Sequence, residues 1–209
     1  MNIAVLADIH GDYGALRAVL DDMERCGADG AIVLGDVIFP GETPQECFDA
    51  LKSLKPLTWV RGNTDDWLNE IREGVTPSND IERRVLADFN RVRPLISGEA
   101  AGFIAALPER QMVEIRGKKL LCVHGSDRRV NEPVGVMSSK EEIYALAQRM
   151  DAHILLCGHT HSPYTAAVNG KLIINAGSVG RPQDSPGPCY CILRFGDVFE
   201  YGFRKLSLK

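Results

Sequence analysis

The chain opens on an apolar run, residues 2–7, whose aliphatic and β-branched content predicts a buried strand. Leu16, Val19, Leu20 and Met23 then recur at i, i+3, i+4 and i+7, the period of a helix with one buried face. Asp12 is its expected N-cap and Gly27 its expected end. Further apolar runs at 30–34 and 57–60 flank a second helix. Thr43-Pro44-Gln45-Glu46 opens that helix with a capping box and a proline in the first turn, and it is expected to run to about Leu51. Strand and helix thus alternate, as in a sheet with helical crossovers.

Residues 65–107 break the alternation. Helical pieces at 66–73, 80–92 and 99–107 are punctuated by Thr76-Pro77-Ser78-Asn79 and Arg93-Pro94, with Ile81, Val85, Leu86 and Phe89 expected to face inward. The stretch reads as a helical cap insertion over the site, within a single domain spanning 1–209. Beyond Pro108 the pattern turns to β. Strands are expected at 112–115 and 119–123 about the turn Arg116-Gly117-Lys118, then at 154–157, 164–168, 171–175, 189–195 and 198–203. One helix intervenes, opened by Ser138/Ser139 with Glu141/Glu142 and carrying Ile143, Leu146, Ala147 and Met150 on one face.

Composition narrows the function more than the fold. A chain of 209 residues with 44% apolar and 25% charged positions can bury a substantial core. Its net charge of −4 does not suit coating nucleic acid or an anionic membrane. No apolar stretch approaches the ~20 residues that span a bilayer. Residues 3–7 are too short for the apolar part of a signal peptide, so a cytoplasmic location is expected. The six cysteines are scattered without a Cys-x-x-Cys and read as reduced thiols, Cys122 and Cys157 in strand cores among them.

Polar groups collect where the apolar runs stop. Asp8 and His10 follow the first, Asp36 the second, Asn63 the third, His124 the run 119–123, and His159 and His161 the run 154–157. A glycine adjoins each cluster: Gly11, Gly35, Gly62, Gly125 and Gly158. The carboxyl ends of strands in such a sheet share one edge, so five strands bring seven donors to one rim. Asp8 and His10, two apart, would leave extended backbone on the same side. The remaining histidine, His153, is expected to pack or face solvent. Four imidazoles, two carboxylates and an amide oxygen are too many for one tetrahedral zinc and suit two five- or six-coordinate ions. At the ~3.5–4 Å spacing of two-metal sites a carboxylate must bridge, and Asp36, alone on its loop, is the natural bridge. Such a pair clamps the oxygens of a phosphate ester and lowers the pKa of a shared water, so that hydroxide attacks phosphorus in line.

The series Asp8-Ile9-His10, Gly35-Asp36, Gly62-Asn63, His124-Gly125 and Gly158-His159-Thr160-His161 resembles the calcineurin-like metallophosphoesterase superfamily, most closely its small prokaryotic phosphodiesterase branch. The resemblance runs from residue 6 to about 181. It implies an α/β fold, a four-layer α/β/β/α sandwich of two mixed sheets. It implies one metal on Asp8, His10, Asp36 and His161 and a second on Asp36, Asn63, His124 and His159, the ions being manganese, iron or zinc. It also implies that 175–182 passes close to the site.

Many relatives carry a histidine immediately after Gly-Asn as the acid for the leaving group; here Thr64 stands in that place, followed by Asp65. Threonine does not donate a proton at a useful pKa. Diesters with activated leaving groups should therefore outperform monoesters with basic ones, with Asp65 or a metal-bound water as the fallback acid. Asp36, Asn63, His124 and Asp65 are the expected catalytic residues, and Thr64, Arg128 and Arg181 the expected substrate contacts, the arginines through their fork geometry. Arg72, Arg83, Arg84, Arg91 and Arg93 read as a solvated face, and Asp12 as a helix cap ahead of a substrate contact. The expected substrate is a small phosphate ester, nucleotides included. A phosphomonoesterase or nucleotide pyrophosphatase on the same metals is the first rival. A non-catalytic scaffold of the same fold is the second, and the complete ligand set argues against it.

Overall fold

The computed structural model describes residues 1–72 and 74–207. One five-stranded sheet contains β1 (Asn2–Leu6), β2 (Gly30–Val33), β3 (Thr58–Trp59), β9 (Cys189–Phe195) and β10 (Phe199–Lys205), in the order β10-β9-β1-β2-β3. The other contains β4 (Arg110–Ile115), β5 (Lys118–Val123), β6 (Ile154–Cys157), β7 (Tyr164–Val168) and β8 (Lys171–Asn175), in the order β4-β5-β6-β8-β7. Both sheets are mixed. β1, β2 and β3 run parallel, as do β5, β6 and β8; antiparallel strands form one edge of the first sheet and both edges of the second.

The strand sequences explain why two sheets stack. Central strands are apolar on both faces, as strands covered on both sides must be. Along β1, Ile3 and Val5 face the second sheet, meeting Leu120, Leu156 and Ile174, while Ala4 and Leu6 face helices. Helices α1 (Tyr13–Arg25) and α2 (Pro44–Ser53) cover the outer face of the first sheet. Helix α6 (Lys140–Arg149) covers the second. The result is the four-layer α/β/β/α sandwich expected from the resemblance.

Local signals account for most element ends. Asp12 caps α1, accepting from Ala15 N at 2.9 Å, and Ser139 with Glu142 forms the full capping box of α6. The hairpins β4–β5 and β7–β8 turn through Arg116-Gly117 and Asn169-Gly170, all four with positive φ, the conformation whose twist matches paired strands. Thr43 departs from expectation. Its hydroxyl does not cap α2; it donates to Gly11 O at 2.8 Å and accepts from Tyr13 N at 2.9 Å, tying together two loops near the site.

The insertion is helical, with α3 (Trp67–Glu70), α4 (Asp80–Val92), a 3-10 turn (Arg93–Leu95) and α5 (Gly98–Ala105). The expected end of its first helix, Glu73, lies outside the described residues. Its second half is part of the helical layer rather than a lid, because Val92, Ile96, Ala100 and Ile104 are fully or almost fully buried against the first sheet's core. Arg61 holds the two ends together, bonding Asp66 at one and Leu107 O at 2.7 Å with Glu109 at 2.9 Å at the other. Within α4, Val85, Leu86 and Phe89 are half-buried, whereas Ile81 is 74% exposed rather than inward. It sits in the first turn of α4, next to the exposed Asp80 and Glu82.

One polar link through the helical layer gave no local sequence signal. Asp22 on α1 accepts from Tyr190 Oη on β9 at 2.9 Å and from both forks of Arg204 on β10 at 2.8 Å. The Arg204 guanidinium, against the opposing effect of burial, lowers Asp22 to about 2. The folded pKa lies below the unfolded one, so the stabilisation is complete above about pH 4 and is lost as the pH falls toward 2. Asp22→Asn should lower stability at pH 7 by about 1–2 kcal/mol, a figure discounted because Arg204 is open to solvent. The gap between the two proteins in urea unfolding should close as the pH is lowered through that window.

Candidate metal centre

Each of the seven predicted donors follows a strand at the same edge of the sandwich. β1 leads into Asp8 and His10, β2 into Asp36, β3 into Asn63, β5 into His124, and β6 into His159 and His161. The parallel strands put these ends side by side. The strands stop short of the donors, however. β1 ends at Leu6, and Asp8, His10, Asp36, His159 and His161 all adopt left-handed backbone, with φ between 52° and 67°. The convergence of Asp8 and His10 therefore comes from two strained residues around Ile9, not from strand alternation. Non-glycine residues rarely sit in this region, and they persist where surrounding structure holds them.

Hydrogen bonds between neighbouring loops hold them. Asp8 N donates to Gly35 O at 3.1 Å and His10 N to Asp36 O at 2.8 Å. Gly180 N and Ser178 Oγ both donate to Asp8 O, at 2.9 and 2.8 Å, so the 175–182 segment does run against the site. Asn175, fully buried, donates to Gly158 O and Val134 O. These approaches leave no room for side chains: a Cβ on Gly62 would lie 2.1 Å from Asp36 Oδ1, and one on Gly180 2.0 Å from Ile9 O.

Five of the donors converge. His161 Nε2 lies 3.2 Å from Asp8 Oδ1 and 3.0 Å from His10 Nε2. Asp36 Oδ2 stands 3.8 Å from His10 Nε2 and 3.5 Å from His124 Nε2. Two groups, Asp8 with His10 and His161, and Asp8 with Asp36 and His124, offer ligand atoms within 4.8 Å of one another. Asp8 belongs to both groups, so it shares the central position expected of Asp36 alone. The outer nitrogens of two rings are fixed by carbonyls, His10 Nδ1 by Phe39 O at 2.5 Å and His124 Nδ1 by Leu34 O at 2.7 Å, which turns both Nε2 atoms inward. His159 lies beside His124, ring centres 5.2 Å apart, and donates its backbone N–H to Asp8 Oδ2.

The donor set fits divalent cations on a structural criterion. Asp8 Oδ1, Asn63 Oδ1 and His124 Nε2 are buried without a hydrogen-bond partner, an unfavourable state for polar atoms that lack an ion. Charge points the same way. Burial disfavours ionisation of His124, yet Asp36 and Asp8 outweigh it and raise the imidazole to about 10. Burial likewise works against charge on His161, and the Asp8 carboxylate raises it nonetheless. Burial lowers His10 and His159. Burial would raise Asp36, but His124 holds it well below the carboxylate range. The pocket demands positive charge, and a divalent ion can meet that demand in place of protons.

The other predicted residues are placed differently. Thr64 N–H donates to Asp36 Oδ1 at 2.8 Å, while its hydroxyl is enclosed without a partner. Asp65 is fully buried, and its two oxygens accept from Asp36 N, Val37 N and Gly62 N at 2.8, 3.1 and 2.9 Å. It is raised to about 7 by burial and by Asp36, but its oxygens face backbone, not the place of a leaving group. The geometry makes it a positioning residue instead of the fallback acid. Arg128 is committed to Glu132 and lines a cavity of about 450 Å³ that includes none of the seven donors. It does not reach the centre as expected. Arg181 does border it, on a groove shared with His10. Arg91, expected on a solvated face, borders the same groove; nothing local distinguished it from the other arginines of the insertion.

The expected exclusions concern other features. Among the described residues, no helix is long and apolar enough to cross a membrane. All six cysteines are free; burial pushes Cys122 up to about 12, an inert core thiol.

Comparison with known proteins bears on the fold and the family. An uncharacterized protein of Methanocaldococcus jannaschii is 28% identical, the match covering 91% of this chain and 81% of that one. A hypothetical protein of Pyrococcus horikoshii OT3 superposes with a TM-score of 0.85 at 18% identity, over 100% of this chain and 88% of its own. The metallophosphoesterase of Sphaerobacter thermophilus gives a TM-score of 0.74 at 27% identity, over 92% and 82%. The family model for the calcineurin-like phosphoesterase superfamily domain matches residues 1–197, and the chain belongs to that superfamily.

Proposed function

We propose that this chain is a dinuclear metal-dependent phosphodiesterase. One observation carries the reading: two buried carboxylates, Asp8 and Asp36, meet the imidazoles of His10, His124 and His161, with no lysine or arginine paired to either among the described residues. Asp8, His10, Asp36 and His161 would hold one ion and Asp36, Asn63, His124 and His159 the other, with Asp8 close enough to contribute to both. Bound divalent ions supply charge neutralisation at a phosphate ester and an activated water near neutral pH. Manganese, iron and zinc all accept this mixture of oxygen and nitrogen donors.

The chain's own groups account for the preference. Thr64 has no proton to give at neutral pH, and Asp65 has both oxygens occupied by three backbone N–H groups. A departing oxygen therefore meets neither of these groups as an acid. Substrates whose leaving group is stable as an anion suffer little from that lack; alkyl monoesters suffer most. Asp65 acts through its neighbours. By binding Asp36 N, Val37 N and Gly62 N it locks the loop of Asp36 to the loop of Asn63, and Thr64 N–H orients Asp36 in turn.

Asp36→Ala and His124→Ala should each abolish hydrolysis of bis-p-nitrophenyl phosphate in the manganese-loaded protein; turnover retained in either contradicts the assignment. With wild type, the aryl diester should be cleaved at least about tenfold faster than an alkyl phosphomonoester, since general acid catalysis typically contributes 10²–10⁴-fold. Equal rates would remove the argument from Thr64. Asp65→Asn should weaken manganese binding by about 10- to 100-fold, the usual effect of losing a group that orients ligands. Isothermal titration reads this directly, and unchanged affinity in a folded variant would contradict the positioning role.

A further inference from the structure

Beside the metal centre runs a groove of about 590 Å³, bordered on one side by His10 and carrying two guanidinium groups, Arg91 and Arg181. They come from distant parts of the chain, Arg91 from helix α4 of the insertion and Arg181 from the loop after β8. Each is tied to a loop that bears a metal-ligand candidate. Arg91 Nη2 donates to Pro40 O at 2.6 Å, one residue from the Phe39 carbonyl that fixes His10. Phe89, two residues earlier on α4, stacks on the Phe39 ring with centres 5.5 Å apart. Arg181 follows Gly180, whose N–H holds Asp8 O, and its own N–H donates at 2.8 Å to Ser178 Oγ, the hydroxyl that also holds Asp8 O.

The two cations are underused. Arg91 makes its hydrogen bonds, to Pro40 O and to Asp88 Oδ1 at 3.0 Å, through Nη2 alone. Its Nε and Nη1 donors, and the whole Arg181 guanidinium, meet no hydrogen-bond partner among the described residues. Arginine forks held open in this way match a phosphate better than any neutral group. The groove also carries two carboxylates, Asp12 and Glu42. Asp12 Oδ1 is engaged in capping α1; Glu42 is exposed. Carboxylates repel a bare polyanion but accept from hydroxyl groups. A groove with both signs of charge therefore suits a molecule bearing both phosphate and hydroxyls.

We propose that Arg91 and Arg181 form a second anion subsite, so that the preferred substrate is a phosphodiester carrying a further phosphate on a hydroxyl-bearing, sugar-like scaffold. This rests on the phosphodiesterase reading and deepens it. The scissile phosphate lies at the metal centre, the second phosphate between the two guanidinium groups, and the scaffold spans the groove between them. The insertion then selects substrate through one side chain of α4 rather than by covering the site.

The test compares two p-nitrophenyl esters on the manganese-loaded protein: that of thymidine 5′-phosphate, and its counterpart with an added 3′-phosphate. Wild type should favour the second by about tenfold in kcat/KM, mainly through KM, the scale of one charge-assisted hydrogen bond. Arg91→Ala should reduce that ratio severalfold, Arg91→Ala with Arg181→Ala should bring it near one, and Arg83→Ala on the outer part of α4 should leave it unchanged. Calorimetry should show the same ordering, with thymidine 3′,5′-bisphosphate bound more tightly than thymidine 5′-phosphate by wild type but not by the double variant. Turnover of both esters at a ratio near one in wild type, or a ratio that survives the double substitution, overturns the subsite and leaves the phosphodiesterase reading intact. Absence of turnover on both esters removes both readings.

Discussion

Two carboxylates buried without a basic side chain beside them are the constraint that shapes this molecule. Asp8 and Asp36 are 0% and 2% exposed, and the groups facing them are imidazoles and backbone N–H groups. Removing such charges from water is expensive unless opposite charge is supplied. Most buried acids obtain it from arginine, as Asp22 does from Arg204 elsewhere in this chain. At the strand ends the fold instead leaves the deficit open, and histidines surround it. That is the arrangement of a receptor for cations, and the stacked sheets exist to hold it rigid.

Rigidity has a visible cost in the backbone. Five of the donors adopt left-handed φ, each unfavourable by itself for a residue with a side chain. Bonds between adjacent loops, the Asp65 carboxylate and glycines at the tightest contacts keep these conformations in place. Local preference yields to a requirement that only the assembled fold satisfies. Such violations concentrate at functional sites, and here they coincide with the residues that collect charge.

Much of this was legible along the chain because it depends on pattern. Apolar runs on both faces marked strands to within a residue or two, and 154–157, 164–168, 171–175 and 189–195 coincide with observed strands. The rule that parallel strands share an edge placed seven donors at five strand ends, and Asp8, His10, Asp36, His124 and His161 each lie within 3.8 Å of another of them. What could not be read depends on distant partners. The Thr43 hydroxyl turned from its own helix to Gly11, 32 residues away. Asp65 looked like an acid beside Asn63, but only the folded loops show three N–H groups closing over it. Ile81 fitted the helical period of α4, yet it lies where that helix has run past the core. Arg91 resembled every other arginine in the insertion until Pro40 and Phe39 placed it beside His10.

The central claim is that this edge of the sandwich is built to take two ions per chain. Titrating metal-stripped protein with manganese, while following heat and melting temperature, tests it most directly. The account predicts a stoichiometry of two and a melting temperature that rises with metal concentration, because ions that bind the folded state alone stabilise it. Saturation at one ion, or a melting temperature indifferent to manganese, would contradict it.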